Sequence, residues 1–142
     1  MMFPKLILTA FAGLSLASTA IAAPWSNGSS RGFEYHDYGS VSEGFKLVCD
    51  SDPLRSGSFL EVRVKGIQGD TKYRVKFGST SFPASPLFPS DPKLTFLVKK
   101  MSNQEKKSLH DAYASSPIVQ VYKGETLLLE LDLGDNRPAL CF

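Results

Sequence analysis

Two segments of the chain alternate apolar and charged residues, and this pattern limits most strongly which folds the chain can adopt. The apolar positions are Leu60, Val62 and Val64 in residues 58–65, and Tyr73, Val75 and Phe77 in residues 72–77. Alternation with a period of two is typical of an antiparallel strand with one buried face. Because a Gly-rich turn at residues 66–70 separates the two segments, we predict that they pair as a β-hairpin.

Shorter patterns predict further strands. Phe45–Cys49 alternates and ends in turn residues, and Leu94–Lys99 reads as another strand. Residues 118–122 and 126–133 flank Lys123-Gly124-Glu125 and predict a second hairpin. Residues 79–93 contain four prolines and no periodicity, so a long surface loop is expected there.

One helix is predicted between the last single strand and the second hairpin. Ser102 and Glu105 have the spacing of a capping box, in which each side chain bonds to the other residue's backbone N–H. The helix should run from residue 103 to 114 and bury Leu109, Ala112 and Tyr113. The predicted fold class is therefore mainly β with one helix, either a small antiparallel β-sandwich or a curled sheet.

The N-terminal residues have the order of a secretory signal peptide. Lys5 precedes an apolar stretch, which is followed by Ala20-Ile21-Ala22. The stretch is shorter than the roughly 20 residues of a membrane span. We predict a signal peptide at 1–22, a flexible lead-in at 23–44 with a short edge strand at 33–38, and one β-rich domain at 45–142. The product is expected to be periplasmic or secreted, without a membrane span.

The two cysteines, Cys49 and Cys141, are predicted to form a disulfide, since an even pair in an exported protein is usually bonded. Two buried free thiols are the alternative. The histidines, His36 and His110, belong to no metal-ligand spacing. We predict neither a metal nor a cofactor.

The sequence has no phosphate-binding glycine loop and no twelve-residue calcium pattern. The chain is predicted not to be an enzyme. The cluster Tyr35-His36-Asp37-Tyr38 could stack on a sugar or simply pack in the fold.

Charge is segregated along the chain, although its 16 basic and 14 acidic residues nearly cancel. Five cations are predicted to share the outward face of the first hairpin and to form a basic face for an anionic partner. They are Arg63, Lys65, Lys72, Arg74 and Lys76. The alternative is that these residues only solvate the sheet and protect its edges.

A second candidate surface combines the proline-rich loop with the acidic last hairpin. Its residues are Phe82, Phe88, Glu125, Glu130 and Asp132. Its negative charge would suit a cationic partner such as a lysozyme-like enzyme.

The closing third of the chain resembles two groups of small bacterial proteins. The similar segments are Ser108–Ala114, Ile118–Tyr122, Leu129–Leu133 and Ala139–Cys141. The groups are exported domains of the invasion-associated-locus-B type and the periplasmic accessory proteins of type VI secretion clusters. The first half departs from the first group, because its Gly-Asp-Trp opening and extra cysteine pairs are missing. Small periplasmic lysozyme inhibitors also join an early strand to the chain end by a disulfide, but their sequence signatures are missing here.

The sequence favours a non-catalytic exported binding protein that acts through a β surface on an envelope protein or an anionic polymer, with a role in secretion or virulence. The alternative is an inhibitor or immunity protein of a wall-degrading enzyme of the lysozyme or amidase type. Nucleic acid is not an expected partner, because no aromatic–basic stacking motif is present.

Overall fold

The computed structural model describes residues 25–52, 54–69 and 71–142. The predicted signal peptide at 1–22 lies outside these residues. The described strands are β1 Ser26–Ser30, β2 Phe33–Gly39, β3 Gly44–Asp50, β4 Phe59–Arg63, β5 Tyr73–Phe77, β6 Thr80–Ala84, β7 Lys93–Leu97, β8 Ile118–Lys123 and β9 Thr126–Asp132. Helix α1 runs over Asn103–Ser115, after a 3₁₀ turn at Val98–Lys100.

The strands form two antiparallel sheets that share one core. The five-stranded sheet has the order β1-β2-β3-β4-β7, and the four-stranded sheet has the order β6-β5-β8-β9. Phe77 of the four-stranded sheet contacts Phe45 and Phe96 of the five-stranded sheet, with ring centroids 6.3 and 6.5 Å apart. The predicted class, mainly β with one helix and antiparallel sheets, is confirmed.

The two alternating segments do not pair with each other, so the predicted first hairpin is wrong. β4 lies between β3 and β7, whereas β5 lies between β6 and β8. Their inward side chains, such as Val62 and Val75, belong to the same buried cluster, contributed from opposite sheets. Alternation reveals which face of a strand is buried. It does not reveal whether two such strands pair in one sheet or belong to two sheets that pack face to face.

The segment predicted as a flexible lead-in contains β1 and β2, the two strands at one side of the five-stranded sheet. The strand predicted at 33–38 corresponds to β2, but it lies between β1 and β3 and is therefore not an edge strand. Trp25 packs on Tyr38 and Phe45, with ring centroids 5.3 and 6.0 Å apart. Its indole Nε1 donates to the carbonyl oxygen of Leu133 at 3.0 Å. Burial of this large aromatic side chain anchors the segment, which the small polar residues of β1 do not reveal by periodicity.

The proline-rich segment also differs from its prediction, because it contains β6. β6 is an edge strand of the four-stranded sheet, a position that tolerates Pro83 within a strand. The remaining residues, 85–92, connect β6 to β7.

The helix begins and packs as predicted. Glu105 N donates to Ser102 Oγ at 3.1 Å, and Ser102 N donates to Glu105 Oε1 at 3.3 Å. Leu109, Ala112 and Tyr113 are buried. The Tyr113 ring stacks on Phe45 with centroids 6.0 Å apart.

The chain end returns to β3 through the predicted disulfide between Cys49 and Cys141, whose Cα atoms lie 5.9 Å apart.

The Tyr113 hydroxyl donates to the carbonyl oxygen of Pro138. Burial raises the pKa of Tyr113 to about 12. Arg137 donates to the carbonyls of Tyr113 and Ala114, so a cation satisfies the C-terminal end of the helix.

Candidate functional site

The five cations of the predicted basic face are divided between the two sheets. Arg63 ends β4 and Lys65 follows it, whereas Lys72 precedes β5, and Arg74 and Lys76 lie on β5. The common face requires β4 and β5 to be neighbours, which they are not. The structure therefore does not assemble these cations on one face as predicted.

On the four-stranded sheet, basic and acidic residues instead share one row. Lys76 of β5 pairs in register with Gln120 of β8, and Gln120 pairs with Glu130 of β9. Gln120 Nε2 donates to Glu130 Oε1 at 2.8 Å. Opposite charges on one face reduce the electrostatic potential of this sheet. The separate segments of sequence do not reveal this, because β5 and β9 are brought to the two sides of β8 only by strand pairing.

The other members of the second predicted surface lie on different elements. Phe82, on β6, packs against Phe77 with ring centroids 5.9 Å apart. Phe88 is 54% exposed in the connection to β7. Glu125 is exposed in the turn between β8 and β9, and Asp132 ends β9.

The outer face of the five-stranded sheet carries two rows of side chains that sequence reasoning did not assemble. Leu47 and Leu60 face the core, so the intervening residues of β3 and β4 face outward. The register defines an apolar row of Gly28, Tyr35, Val48, Phe59 and Leu97. It also defines a polar row of Ser26, Asp37, Lys46, Glu61 and Thr95.

Two shallow depressions lie along these rows. The depression of about 310 Å³ is lined by Asp37, Lys46, Glu61 and Arg63 among others. The depression of about 350 Å³ is lined mainly by apolar and aromatic residues, with Arg31 and Lys46 at its border. Because Lys46 lines both, it stands where the polar and apolar parts of this face meet.

Tyr35 forms an aromatic surface because its neighbour on the edge strand is a glycine. A Cβ atom on Gly28 would lie 2.2 Å from the Tyr35 hydroxyl oxygen and 2.3 Å from its Cζ. The ring therefore lies over the bare backbone of β1. Lys46 Nζ is 5.4 Å from the ring centroid, within the range of a cation–π contact.

The Arg63 side chain crosses β3 at a glycine, as the Tyr35 ring lies over a glycine of β1. A Cβ atom on Gly44 would lie 2.2 Å from Arg63 Nη2, so only glycine leaves room for the guanidinium. Nη2 donates to Asp37 Oδ1 at 2.7 Å, and Nε donates to the carbonyl oxygen of Ser40 at 2.9 Å. Arg63 is thus part of this face, but its hydrogen bonds hold β2 and the following loop.

Glu61 is buried although its row faces outward. Its side chain is 7% exposed, with Lys93 Nζ at 3.4 Å and Arg63 Nη1 at 4.0 Å. These two cations compensate the charge of the carboxylate, which borders the depression and keeps acceptor capacity for a donor on a ligand. Its register partner on β7, Thr95, has a buried hydroxyl that lacks a partner in the described part of the chain, and burial keeps that hydroxyl out of reach of a ligand.

Within residues 25–52, 54–69 and 71–142, Arg31 and Lys46 form no ion pair within 4.0 Å, although the register places Lys46 between Asp37 of β2 and Glu61 of β4. Arg55, by contrast, donates to Asp50 at 2.6 and 2.8 Å and lies 4.4 Å from the centroid of Phe33. These hydrogen bonds hold the pKa of the Asp50 carboxyl well below its usual range.

The cluster at residues 35–38 is divided between the two faces of β2. Tyr35 and Asp37 face outward, while Tyr38 is buried at 8% exposure and packs on Trp25. His36 Nδ1 lies 2.6 Å from Asn27 Oδ1. Strand alternation separates these neighbours, so a strand at 33–38 was the signal that could have singled out Tyr35 and Asp37.

No group of three or more His, Cys, Asp or Glu residues lies close enough to hold a metal ion in the described ranges. None of the helical segments described has the length and apolar character needed to cross a bilayer.

Comparison of the chain with protein-family models, with curated proteins and with solved structures found no match. The resemblance of the closing third to exported bacterial domains therefore stays a prediction.

Proposed function

We propose that this protein is a non-catalytic exported binding protein that holds an anionic envelope polymer on the outer face of its five-stranded sheet. The observation that carries the proposal is Lys46, a cation without a carboxylate partner in the described chain, at the junction of both depressions. Export is supported by the predicted signal peptide and by the disulfide, since disulfides persist in oxidising compartments.

Edge protection does not account for Lys46. β3 is an inner strand with β2 on one side and β4 on the other, so it has no free edge to protect. The neighbouring cations Arg55, Arg63 and Lys93 all lie within 4.0 Å of a carboxylate. Lys46 and Arg31 are left to attract an anionic ligand.

The test measures binding of the oxidised protein to immobilised polygalacturonate and polyphosphate over a range of salt concentrations. Lys46→Met should weaken binding about tenfold, which corresponds to the loss of one charge-assisted hydrogen bond. Lys76→Met is the matched control, because Lys76 lies on an inner strand of the other sheet. Absence of binding to both polymers, or an equal effect of the two variants, would contradict the proposal.

A second candidate function is inhibition of a wall-degrading enzyme. Leu87 and Phe88 are adjacent and 53% and 54% exposed. The turn beneath them is closed by a hydrogen bond from Asp91 N to the carbonyl oxygen of Phe88 at 3.0 Å. Exposed apolar side chains on a loop are suited to filling a pocket of a partner protein.

The two functions use different surfaces and can be separated. Under the inhibitor function, the protein slows a lysozyme or an amidase, and Phe88→Ser relieves that inhibition. Under the polymer function, Phe88→Ser leaves polygalacturonate binding unchanged. An unaffected enzyme would remove the inhibitor function.

A further inference from the structure

We infer that the anionic ligand is a glycan, with its sugar rings lying on the apolar row and its hydroxyl groups reaching the polar row. This inference rests on the proposed function and names the chemical class of its ligand. It depends on the aromatic surface at Tyr35, the buried acceptor at Glu61 and the cation at Lys46, which has no carboxylate of the described residues within 4.0 Å.

The apolar row offers flat surfaces of the kind that sugar rings contact. Sugars have apolar C–H faces and polar hydroxyl edges, so they pack on exposed aromatic rings while hydrogen bonding at their rims. The Tyr35 ring lies over Gly28, and Phe59 is half-buried two strands away. Two strand spacings are about 10 Å, roughly the length of two hexose rings.

The polar row favours hydroxyl groups over further negative charge. The Glu61 carboxylate is 7% exposed and lies 3.4 Å from Lys93 Nζ. A sugar hydroxyl can donate to this carboxylate, whereas a phosphate or carboxylate placed there would be repelled by Glu61.

The acidic groups of the glycan are then assigned to Lys46. Its Nζ lies 5.4 Å from the centroid of the Tyr35 ring, so a carboxylate on a stacked sugar would come close to the ammonium group. A uronic acid supplies both parts of this arrangement on one ring. Polyphosphate supplies the charge without a ring or a hydroxyl donor.

The experiment is titration calorimetry of the full oxidised protein with tetragalacturonate, and with polyphosphate of similar charge. Wild type should bind tetragalacturonate at least about tenfold more tightly than polyphosphate, the size of one bidentate or stacking contact. Tyr35→Ala should remove most of that preference. Tyr122→Ala is the matched control, because Tyr122 lies on the other sheet with the Arg74 guanidinium 5.7 Å from its ring centroid.

Glu61→Gln provides a readout of opposite sign for the two probes. Loss of the negative charge should weaken tetragalacturonate binding and strengthen polyphosphate binding.

If Tyr35→Ala unfolds, Tyr35→Leu keeps an apolar side chain over Gly28 but removes the aromatic face. Circular dichroism of each variant separates lost binding from lost folding.

The outcomes distinguish the inference from the proposed function. Equal binding of the two anions, with no effect of Tyr35→Ala, overturns the glycan inference and leaves anionic-polymer binding in place. Binding of neither anion overturns both. Equally tight binding of neutral galactotetraose would overturn the assigned role of Lys46 and of the charge.

Discussion

The guanidinium of Arg63 donates to the carboxylate of Asp37 at 2.7 Å, although β3 lies between the strands that carry the two residues. The contact crosses β3 at Gly44, where any side chain would occupy the same space. Its consequence is that Arg63, predicted as a free member of a basic binding face, instead positions Asp37 within the polar row.

This ion pair should contribute measurably to stability. Its side chains are 13% and 34% exposed, so solvent screens them less than a fully exposed pair. A double-mutant cycle with Arg63→Gln and Asp37→Asn, measured by urea unfolding, should give a coupling energy of about 1 kcal/mol.

The Lys107–Asp111 pair is the control for that cycle. It lies on the helix surface with side chains 78% and 67% exposed, and its coupling should be about 0.3–0.5 kcal/mol. Equal coupling in the two cycles would contradict a special role for the pair that crosses β3.

Asp50 should make stability depend on pH in the acidic range. Its pKa is lowered first by the hydrogen bonds from Arg55 and then by those from Asp52 N and Gly57 N. Because the folded-state pKa lies below the unfolded value of about 3.9, the unfolded chain binds more protons in acid. The stability from this carboxylate is present above pH ~4 and is lost as the pH falls through the folded-state pKa.

The measurement is the free energy of unfolding between pH 2 and pH 6. Asp50→Asn should make its dependence on pH shallower than in wild type. Arg55→Gln should do the same, because it removes the main cause of the lowered pKa. An unchanged slope in both variants would show that Asp50 is not responsible.

The disulfide should be a large contributor to stability. Replacing Cys49 and Cys141 by alanine should lower the free energy of unfolding by about 4–5 kcal/mol, given the sequence separation of 92 residues. Wild type in reductant should show the same loss, and the double variant should not respond to reductant. A loss below about 1 kcal/mol would contradict the chain-entropy explanation.

The capping box should set the stability of the helix start. Ser102→Ala should cost about 1 kcal/mol and Glu105→Ala about 0.5–1 kcal/mol, because each leaves a backbone N–H without its partner. Gln104→Ala is the control, since Gln104 is exposed in the same turn. Thermal unfolding measures the three variants, and equal melting temperatures would argue against the cap.

Local patterns were sufficient for much of the fold. The alternation of Leu60, Val62 and Val64 identified the buried face of β4, and Ser102 with Glu105 identified the helix start. The cysteine pair indicated that the chain end returns to β3. These features depend on residues that are close in sequence, or on a covalent bond that has only one possible partner.

The sequence by itself determined which faces of the strands are buried, where the helix begins and which cysteines bond. Only the tertiary structure decided that β4 and β5 lie in different sheets. Two strands with the same alternation bury the same side chains whether they pair within one sheet or face each other across the core. The tertiary structure also decided the candidate site, since Tyr35, Lys46 and Glu61 come from three strands whose register is set by pairing. Side chains that meet across strands leave no periodic signal in the chain.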